Sequence, residues 1–265
     1  MQPAERQIKL EENLRDGLLN DPSSENFSRT YDRFHRFVLK HGFPREGRKE
    51  KGFLYASEGY LNLASETIFK LVKEGSKVLE IGAGDGQLSF RLSKEKNCQV
   101  TATDVSPVAL KVASQKSHPC LVFKQADARN LPFFNEEFRF VISKDVLEHL
   151  PPEDHSRHLR EVIRVLKKGG RYLLYTPPRI ALAGEGGLHL KQYSLKGLLG
   201  LAKMFSQKIS VYWVQPAKIG LCLKIPKFLW WIVYLNELIL EKTRAYKLGC
   251  LNKVLVLRFV LQIEK

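Results

Sequence analysis

Paired cysteines are missing from this sequence, and their absence excludes two classes of small scaffold. The four cysteines are Cys98, Cys120, Cys222 and Cys250. They form no CxxC pair and no histidine joins them at zinc-finger spacing, so neither a structural zinc site nor a disulfide framework is predicted. Internal repeats and low-complexity tracts are absent as well. The 265 residues are therefore predicted to form one main core with added segments.

Long apolar runs are also missing. The opening stretch, MQPAERQIKLEENL, alternates charged and apolar residues and lacks the continuous apolar region of a secretory signal. The apolar run at Phe228–Leu235 has eight residues, whereas a helix that crosses a bilayer needs about 20. We therefore expect a cytoplasmic protein that has no transmembrane helix, with peripheral contact to a membrane left open.

Acidic residues are too few to balance the basic ones. There are 43 Lys and Arg against 28 Asp and Glu, which gives a net charge of +15. Residues 188–265 contribute +10 of this, and a second basic run lies between Phe27 and Lys51. Such fields favour anionic partners, namely phospholipid headgroups, nucleic acid or a phosphorylated small molecule. A single lysine in such a run needs no partner, since solvated cationic surfaces are common.

The stretch that begins at Lys77 reads KVLEIGAGDGQLSFRLSKEKNCQVTATDVSP. Its order of apolar run, glycine-rich turn, helical pattern and second apolar run predicts a βαβ unit of a parallel sheet. Gly82, Gly84 and Gly86 fall in the turn, where glycine lets the backbone pass close to a ligand. Asp104 ends the second strand, where a carboxylate can accept hydrogen bonds from both ribose hydroxyls. The pattern therefore indicates a nucleoside that bears a carboxylate.

The glycine spacing separates two nucleotide-binding families. A dinucleotide fingerprint requires GxGxxG, whereas this turn has GxGxG with Gln87 in the last place. With Glu80 two residues before Gly82, EIGAGDG resembles motif I of the class I S-adenosylmethionine-dependent methyltransferases. The resemblance extends over residues 77–194 through FKQADARNLPF, FRFVISKDVLEHLP and KKGGRYLLYTPP. It implies S-adenosyl-L-methionine as the cofactor and S-adenosyl-L-homocysteine as the product.

The resemblance also implies which residues hold the cofactor. The first strand and the glycine loop, which hold the methionine part, supply Glu80, Gly82, Ala83, Gly84 and Gln87. The ribose and adenine side is assigned Asp104, Val105, Asp127 and Ala128. The end of the fourth strand, near the transferred methyl group, supplies Ser143, Lys144 and Asp145.

The implied fold is a Rossmann-like, doubly wound α/β sheet of seven strands with an antiparallel last strand. A helical N-terminal cap over residues 1–74 precedes the methyltransferase domain of residues 75–265. Within the cap, an apolar helix stripe predicts a lid helix. The stripe consists of Phe27, Tyr31, Phe34 and Val38.

An apolar helical segment over residues 217–250 is predicted as an insertion between strands six and seven. Trp230 and Trp231 lie in it and basic residues flank it. A helix of this kind can lie in a membrane interface and present a lipid. It can equally pack over the active site or in a subunit interface, and the oligomeric state is left open.

Two histidines are candidates for the general base of methyl transfer, His149 in DVLEHLP and His189 in GGLHLKQYS. Asp145, Glu148 and His149 form D-x-x-E-H, which is similar to the E-x-x-E-H of ubiquinone-biosynthesis O-methyltransferases, where the group is tied to a divalent metal. Because LEH also occurs widely in relatives as a helix start, no metal is expected, and these three residues remain weak candidates.

The acceptor is expected to be a small or lipid-like molecule that is methylated at oxygen or carbon. Enzymes that methylate base amines in DNA carry [DNS]PP[YF] directly after the fourth strand, where this sequence reads SKDV. An RNA methyltransferase remains the alternative that the basic charge supports. A catalytically silent subunit that binds the cofactor and serves in an interaction is a third possibility.

Overall fold

The structure is a computed structural model that describes residues 3–41, 60–177, 188–214, 223–226 and 259–265. Eight strands in this part of the chain form one mixed sheet. They are β1 Lys77–Ile81, β2 Gln99–Asp104, β3 Leu121–Gln125, β4 Phe138–Lys144, β5 Leu166–Tyr175, β6 Ile209–Trp213, β7 Leu223–Ile225 and β8 Phe259–Glu264. The helices are α1 Pro3–Asn20, α2 Ser24–His41, α3 Tyr60–Leu71, α4 Gln87–Lys96, α5 Pro107–Ala113, α6 His155–Val165 and α7 Leu195–Lys203.

The strand order is β3-β2-β1-β4-β5-β8-β6-β7. The first five strands run parallel, and β8, β6 and β7 pair antiparallel. From β1 the chain builds outward on one side through β2 and β3, and then on the other side through β4 and β5. The order therefore reverses between β1 and β4, and in open α/β sheets the crevice at the carboxyl ends of such strands is where ligands bind.

The predicted doubly wound α/β sheet is confirmed, with one correction to its strand count. All seven expected strands are present, and β7 adds an eighth by pairing Val211 with Ile225 and Tyr212 with Lys224. Residues 223–226 belong to the segment predicted to be helical, whereas the rest of 217–250 lies outside the described residues. A strand is favoured here because it pairs the N–H and C=O groups that the free edge of β6 would expose.

Two apolar layers cover the faces of the sheet. On one face, α3 and α4 pack against β1, β2 and β4, with Ile68 and Leu92 fully buried. On the other face, α6 and α7 share a core with Leu18 of α1 and Phe27 of α2. Parallel strands must be covered on both faces, which explains why β1 and β4 are almost continuously buried.

Helix α2 lies over the carboxyl ends of β2 and β3. Its Ser28 hydroxyl donates to the Val105 carbonyl at 3.0 Å, and its Asp32 carboxylate accepts from the Ser106 hydroxyl at 2.5 Å. Phe27 and Val38 of the predicted stripe are buried, and Tyr31 and Phe34 pack against the core more partially. The stripe therefore faces the sheet, and α2 covers the crevice edge. Among the described residues, no helix has the length and apolar character to cross a membrane.

Candidate active site

The loop between β1 and α4 has the backbone of a ligand cradle. Gly82, Gly84 and Gly86 all have positive φ, at 69°, 56° and 73°. A Cβ on Gly82 would lie 2.4 Å from Val146 Cγ2, so the close approach of two chain segments requires glycine there. The loop is held against β2, because the Ala83 N–H donates to the Thr103 carbonyl at 2.8 Å. The loop thus reaches the crevice with almost no side chain of its own.

Asp104 joins this loop to the end of β2. One carboxylate oxygen accepts from the Gly84 N–H at 3.0 Å, and the other accepts from the Ser106 N–H at 2.9 Å. The side chain is almost completely buried. Each carboxylate oxygen has a second acceptor site, and the two backbone bonds hold the group in one orientation. The arrangement suits a fixed acceptor for a pair of hydroxyls.

Ser143, Lys144 and Asp145 lie at the end of β4, on the other side of β1 from Asp104. Asp145 has φ +57°, a left-handed conformation that is uncommon outside glycine and concentrated at functional sites. Its carboxylate accepts from Lys144 Nζ at 2.7 Å. Burial alone would lower the pKa of Lys144, but the carboxylates of Asp145 and Glu80 raise it above its ordinary value. The Ser143 hydroxyl is bonded to the Tyr172 hydroxyl inside the sheet, at 2.5 Å.

The two candidate histidines meet next to this strand end. Their ring centroids are 4.8 Å apart, although His149 follows β4 and His189 follows β5. The edge of Tyr31 from α2 packs against His149, with ring centroids 5.6 Å apart. Burial lowers the pKa of His149. Sequence reasoning missed His35, which is buried one turn after Tyr31, since a histidine in an apolar stripe gives no signal of its own.

Residues 78–170 match the family described as Methyltransferase domain. The match covers the cradle, Asp104 and the strand end at β4. This chain carries a class I S-adenosylmethionine-dependent methyltransferase domain. The predicted family is thereby confirmed, and S-adenosylmethionine is the cofactor of the domain.

Several curated relatives resemble the methyltransferase domain. An eEF1A lysine and N-terminal methyltransferase homolog of Drosophila melanogaster is 30% identical over 159 residues, which are 56% of this chain and 22% of the relative. A phthiotriol/phenolphthiotriol dimycocerosates methyltransferase of Mycobacterium leprae is 35% identical over 46% of this chain and 45% of the relative. A ubiquinone/menaquinone biosynthesis C-methyltransferase of Bartonella tribocorum is 33% identical over 37% and 39%. The chain thus spans less than half the length of these relatives.

Two solved structures share the fold over a longer part of the chain. The [4+2]-cyclase SpnF superposes with a TM-score of 0.59 at 18% identity, over 92% of this chain and 96% of the cyclase. The YcgJ protein of Bacillus subtilis superposes with a TM-score of 0.52 at 20% identity, over 77% and 98%. At such identities these neighbours show the fold alone. The cyclase also shows that this fold does not by itself determine the reaction.

Asp127, predicted to contact adenine, is already bound by other side chains of the protein. Arg129 donates to both of its carboxylate oxygens, and the Ser24 hydroxyl of α2 donates to one of them at 2.5 Å. Arg129 is buried, bonds Asp154 at 2.9 Å and lies over the Phe27 ring. Burial alone would raise the pKa of Asp127, but these hydrogen bonds lower it. Arg129 therefore ties the loop after β3 to α2 and α6, a role that sequence reasoning missed.

The other predicted cofactor residues line the same edge in different ways. Gln87 is exposed at the start of α4. The Val105 carbonyl accepts from Gln125 Nε2 at 3.1 Å and also from the Ser28 hydroxyl of α2. The Ala128 carbonyl accepts from the buried His158 ring at 2.9 Å. Glu80 lies beneath the glycine loop, fully enclosed and bonded to the Ser89 hydroxyl. All twelve predicted positions therefore lie at the carboxyl ends of β1 to β4 or in the segments that follow these strands, although Glu80, Ser143 and Asp127 have their side chains engaged within the protein.

The stability of the methyltransferase domain should depend on pH through Glu80. Burial raises the pKa of this carboxyl from 4.5 to about 7. Between these two values the folded state binds one proton more than the unfolded state. The free energy of unfolding therefore falls as the pH rises from 4.5 through 7, by up to about 3 kcal/mol.

Urea unfolding of wild type and the Glu80→Gln variant at pH 5 and pH 8 measures this effect. The side chain at position 80 of the variant is uncharged at both pH values. The free energy of unfolding of the variant should therefore fall less than that of wild type between pH 5 and pH 8. Glu74→Gln is the matched control, since Glu74 is exposed and should leave the wild-type profile unchanged. Identical pH profiles for wild type and Glu80→Gln would contradict the prediction.

Proposed function

We propose that this protein transfers the methyl group of S-adenosylmethionine to an oxygen or carbon of a small or lipid-like acceptor. The observation that carries the proposal is the pair of imidazoles, His149 and His189, beside the end of β4. The cofactor supplies an electrophilic methyl group on a sulfonium centre. The protein must then position the acceptor and take up its proton.

The cradle fits such a cofactor. The position that a Cβ on Gly82 would occupy is already contacted by Val146, so the loop offers backbone rather than side chains to the methionine part. Asp104 is held by two backbone N–H groups in an orientation that suits the ribose hydroxyls. Lys144 and Asp145 stand at the end of β4, where the family resemblance puts the methyl group.

His149 has the features of a general base. Its Nδ1 lies 3.1 Å from the Leu188 carbonyl oxygen, which can only accept, so the hydrogen sits on Nδ1. The lone pair is then on Nε2. Burial lowers the pKa of the ring, which keeps it neutral at physiological pH. A neutral imidazole with a fixed tautomer can accept the proton of a hydroxyl or an acidic C–H group.

A lipid-like acceptor is supported by two independent observations. The mycobacterial and quinone-pathway relatives are named for dimycocerosate lipids and quinones. Helix α2, which covers the crevice edge, also exposes Arg33, Arg36 and Lys40 on the side opposite its buried stripe. A cationic face next to the crevice suits an anionic membrane surface as the source of the acceptor.

Transfer of labelled methyl from S-adenosylmethionine tests the proposal directly. Purified protein is incubated with separate lipid, small-metabolite, RNA and protein fractions. We expect label in the lipid or metabolite fraction. Label confined to RNA would favour the alternative suggested by charge, and label confined to protein would favour a protein acceptor, as in the name of the Drosophila relative. Cofactor binding without transfer to any fraction would favour a silent subunit.

Once an acceptor is identified, the His149→Gln variant tests the base. We expect kcat to fall about 100-fold or more, because loss of a positioned base costs about 10²–10⁴ in rate. Affinity for S-adenosylhomocysteine should stay within about twofold of wild type. His118→Gln is the matched control, since His118 lies before β3, at the amino end of that strand, and its replacement should leave kcat unchanged. An unchanged kcat in His149→Gln would remove this role.

A further inference from the structure

Glu148 is the most unusual buried acid of the described chain. It is completely buried, and neither carboxylate oxygen has a well-formed hydrogen bond, although the Thr176 hydroxyl and the backbone N–H of Glu148 itself act to lower its pKa. Burial and the neighbouring Asp145 carboxylate together raise its pKa well above the ordinary range. A buried carboxylate without well-formed hydrogen bonds is strongly disfavoured unless it is protonated or binds a cation. The proposed methyl transfer gives this side chain no task.

Two imidazoles stand next to this carboxylate. Glu148, His149 and His189 can each offer one ligand atom, and these atoms all lie within 4.8 Å of one another. Ligand atoms that share one tetrahedral zinc ion are about 3.3 Å apart, given bonds of about 2.0–2.2 Å. Side-chain rotations that move each ligand atom by about 1 Å therefore suffice to bring the three atoms to bonding distance of one ion.

The surrounding backbone already fixes the two segments that carry these ligands. The N–H groups of Leu190 and Lys191 donate to the Glu148 carbonyl at 2.7 and 3.1 Å. The loop that carries His189 is thus tied to the residue that carries the carboxylate. The bond from His149 Nδ1 to the Leu188 carbonyl orients the ring and leaves the lone pair of Nε2 available. Metal-binding histidines are typically held in this way. An ion that binds Nε2 takes the lone pair that the proposed general base uses, so His149 serves as the base only in the metal-free protein.

We propose that Glu148, His149 and His189 form a site for a divalent transition-metal ion, of which Zn²⁺ is the best fit. Two imidazole nitrogens and one carboxylate are a donor set that suits zinc and related ions and leaves a fourth position open. Magnesium and calcium prefer sites built from oxygen atoms. The donor set, rather than the motif, thus selects the class of metal.

This ligand set differs from the one that D-x-x-E-H suggests. The motif would use Asp145, but among the described residues the ligand atoms that lie within 4.8 Å of one another belong to Glu148, His149 and His189, and one Asp145 oxygen is bound to Lys144 Nζ at 2.7 Å. The third donor comes instead from His189, which lies 40 residues further along the chain than His149. The site therefore departs from the expectation that no metal is bound, and it replaces one carboxylate of the motif by an imidazole.

Metal titration of the full chain tests the site without any turnover, so its result is separate from that of methyl transfer. Protein is dialysed against a chelator and then titrated with Zn²⁺ in a calorimeter. We expect one equivalent to bind per chain, and a large excess of Mg²⁺ should not displace it. Co²⁺ used as a spectroscopic probe should give the visible bands of a four-coordinate site. No stoichiometric binding by folded wild type would overturn the proposal.

Variants assign the ligands. Loss of a residue that only supports a metal ligand weakens metal binding about 10–100-fold. Glu148→Gln and His189→Gln should each weaken Zn²⁺ binding by more than this. Asp145→Asn and the remote His118→Gln should stay within about tenfold of wild type. Wild-type affinity in His189→Gln, or a loss in Asp145→Asn as large as in Glu148→Gln, would show that the ligand set is wrong. Circular dichroism and unaltered S-adenosylhomocysteine binding by His189→Gln show that the variant is folded.

Discussion

Replacing Asp104 with alanine should weaken the binding of S-adenosylhomocysteine about 1000-fold. The carboxylate is proposed to accept hydrogen bonds from both ribose hydroxyls. A hydrogen bond to a charged group contributes about 1.5–3 kcal/mol, so the loss of two comes to about 4 kcal/mol, or about 1000-fold in Kd. Isothermal titration calorimetry of wild type and Asp104→Ala measures the difference.

Loss of structure must be separated from loss of the ribose contact in this variant, because Asp104 also accepts from the N–H groups of Gly84 and Ser106. Asp104→Asn keeps an acceptor oxygen and should weaken binding less than Asp104→Ala. Asp16→Asn is a surface control on α1 that should bind as wild type does. If folded Asp104→Ala binds the nucleoside with wild-type affinity, the proposed role of Asp104 is wrong.

Gly82→Ala should destabilise the fold by about 2–5 kcal/mol and abolish cofactor binding. Two costs add at this position. A left-handed backbone at φ +69° costs about 1–2 kcal/mol for a residue with a Cβ. The new methyl group would also lie 2.4 Å from Val146 Cγ2, and overpacking of this kind costs about 1–3 kcal/mol. Urea unfolding and calorimetry with S-adenosylhomocysteine measure both effects.

A second substitution separates the two costs. In Gly82→Ala/Val146→Ala the colliding Cγ2 atom is gone, and the remaining Val146 Cβ would lie at an ordinary 3.7 Å. The double variant should therefore regain the packing part of the stability but not the backbone part. Gly200→Ala is the control, since no atom lies within 4 Å of its Cβ position. A Gly82→Ala protein as stable as Gly200→Ala would refute the steric account.

Local patterns explain why the centre of the fold was predictable. The strand, turn and helix around Gly82 follow one another in sequence, and so does the strand that ends at Asp104. Their periodicity and spacing are set by contacts within the unit itself. The antiparallel ending with β6 and β8 followed from the family resemblance. The edge strand β7 was missed, because only its pairing with β6 favours an extended conformation for Leu223–Ile225.

Long-range contacts explain what the sequence did not indicate about the site. The residues next to Arg129 in the sequence do not predict that its side chain joins Asp127 to Asp154, to the Pro22 carbonyl before α2 and to Phe27 of α2. The meeting of His189 with Glu148 likewise depends on how the loop after β5 returns to β4. Patterns within a short stretch of sequence carry no information about contacts between residues that are far apart in the chain. The sequence therefore indicated the cofactor side of the crevice more completely than the acceptor side.

The hydrogen bonds that hold α2 also constrain the order in which the protein folds. Ser24, Ser28 and Asp32 have partners 103, 77 and 74 residues further along the chain. During synthesis α2 leaves the ribosome well before β2 and β3, and closing such long loops is slow. The apolar stripe of α2 therefore stays uncovered until β2 and β3 have formed, so the interval before the sheet exists is when this chain should be most prone to aggregation.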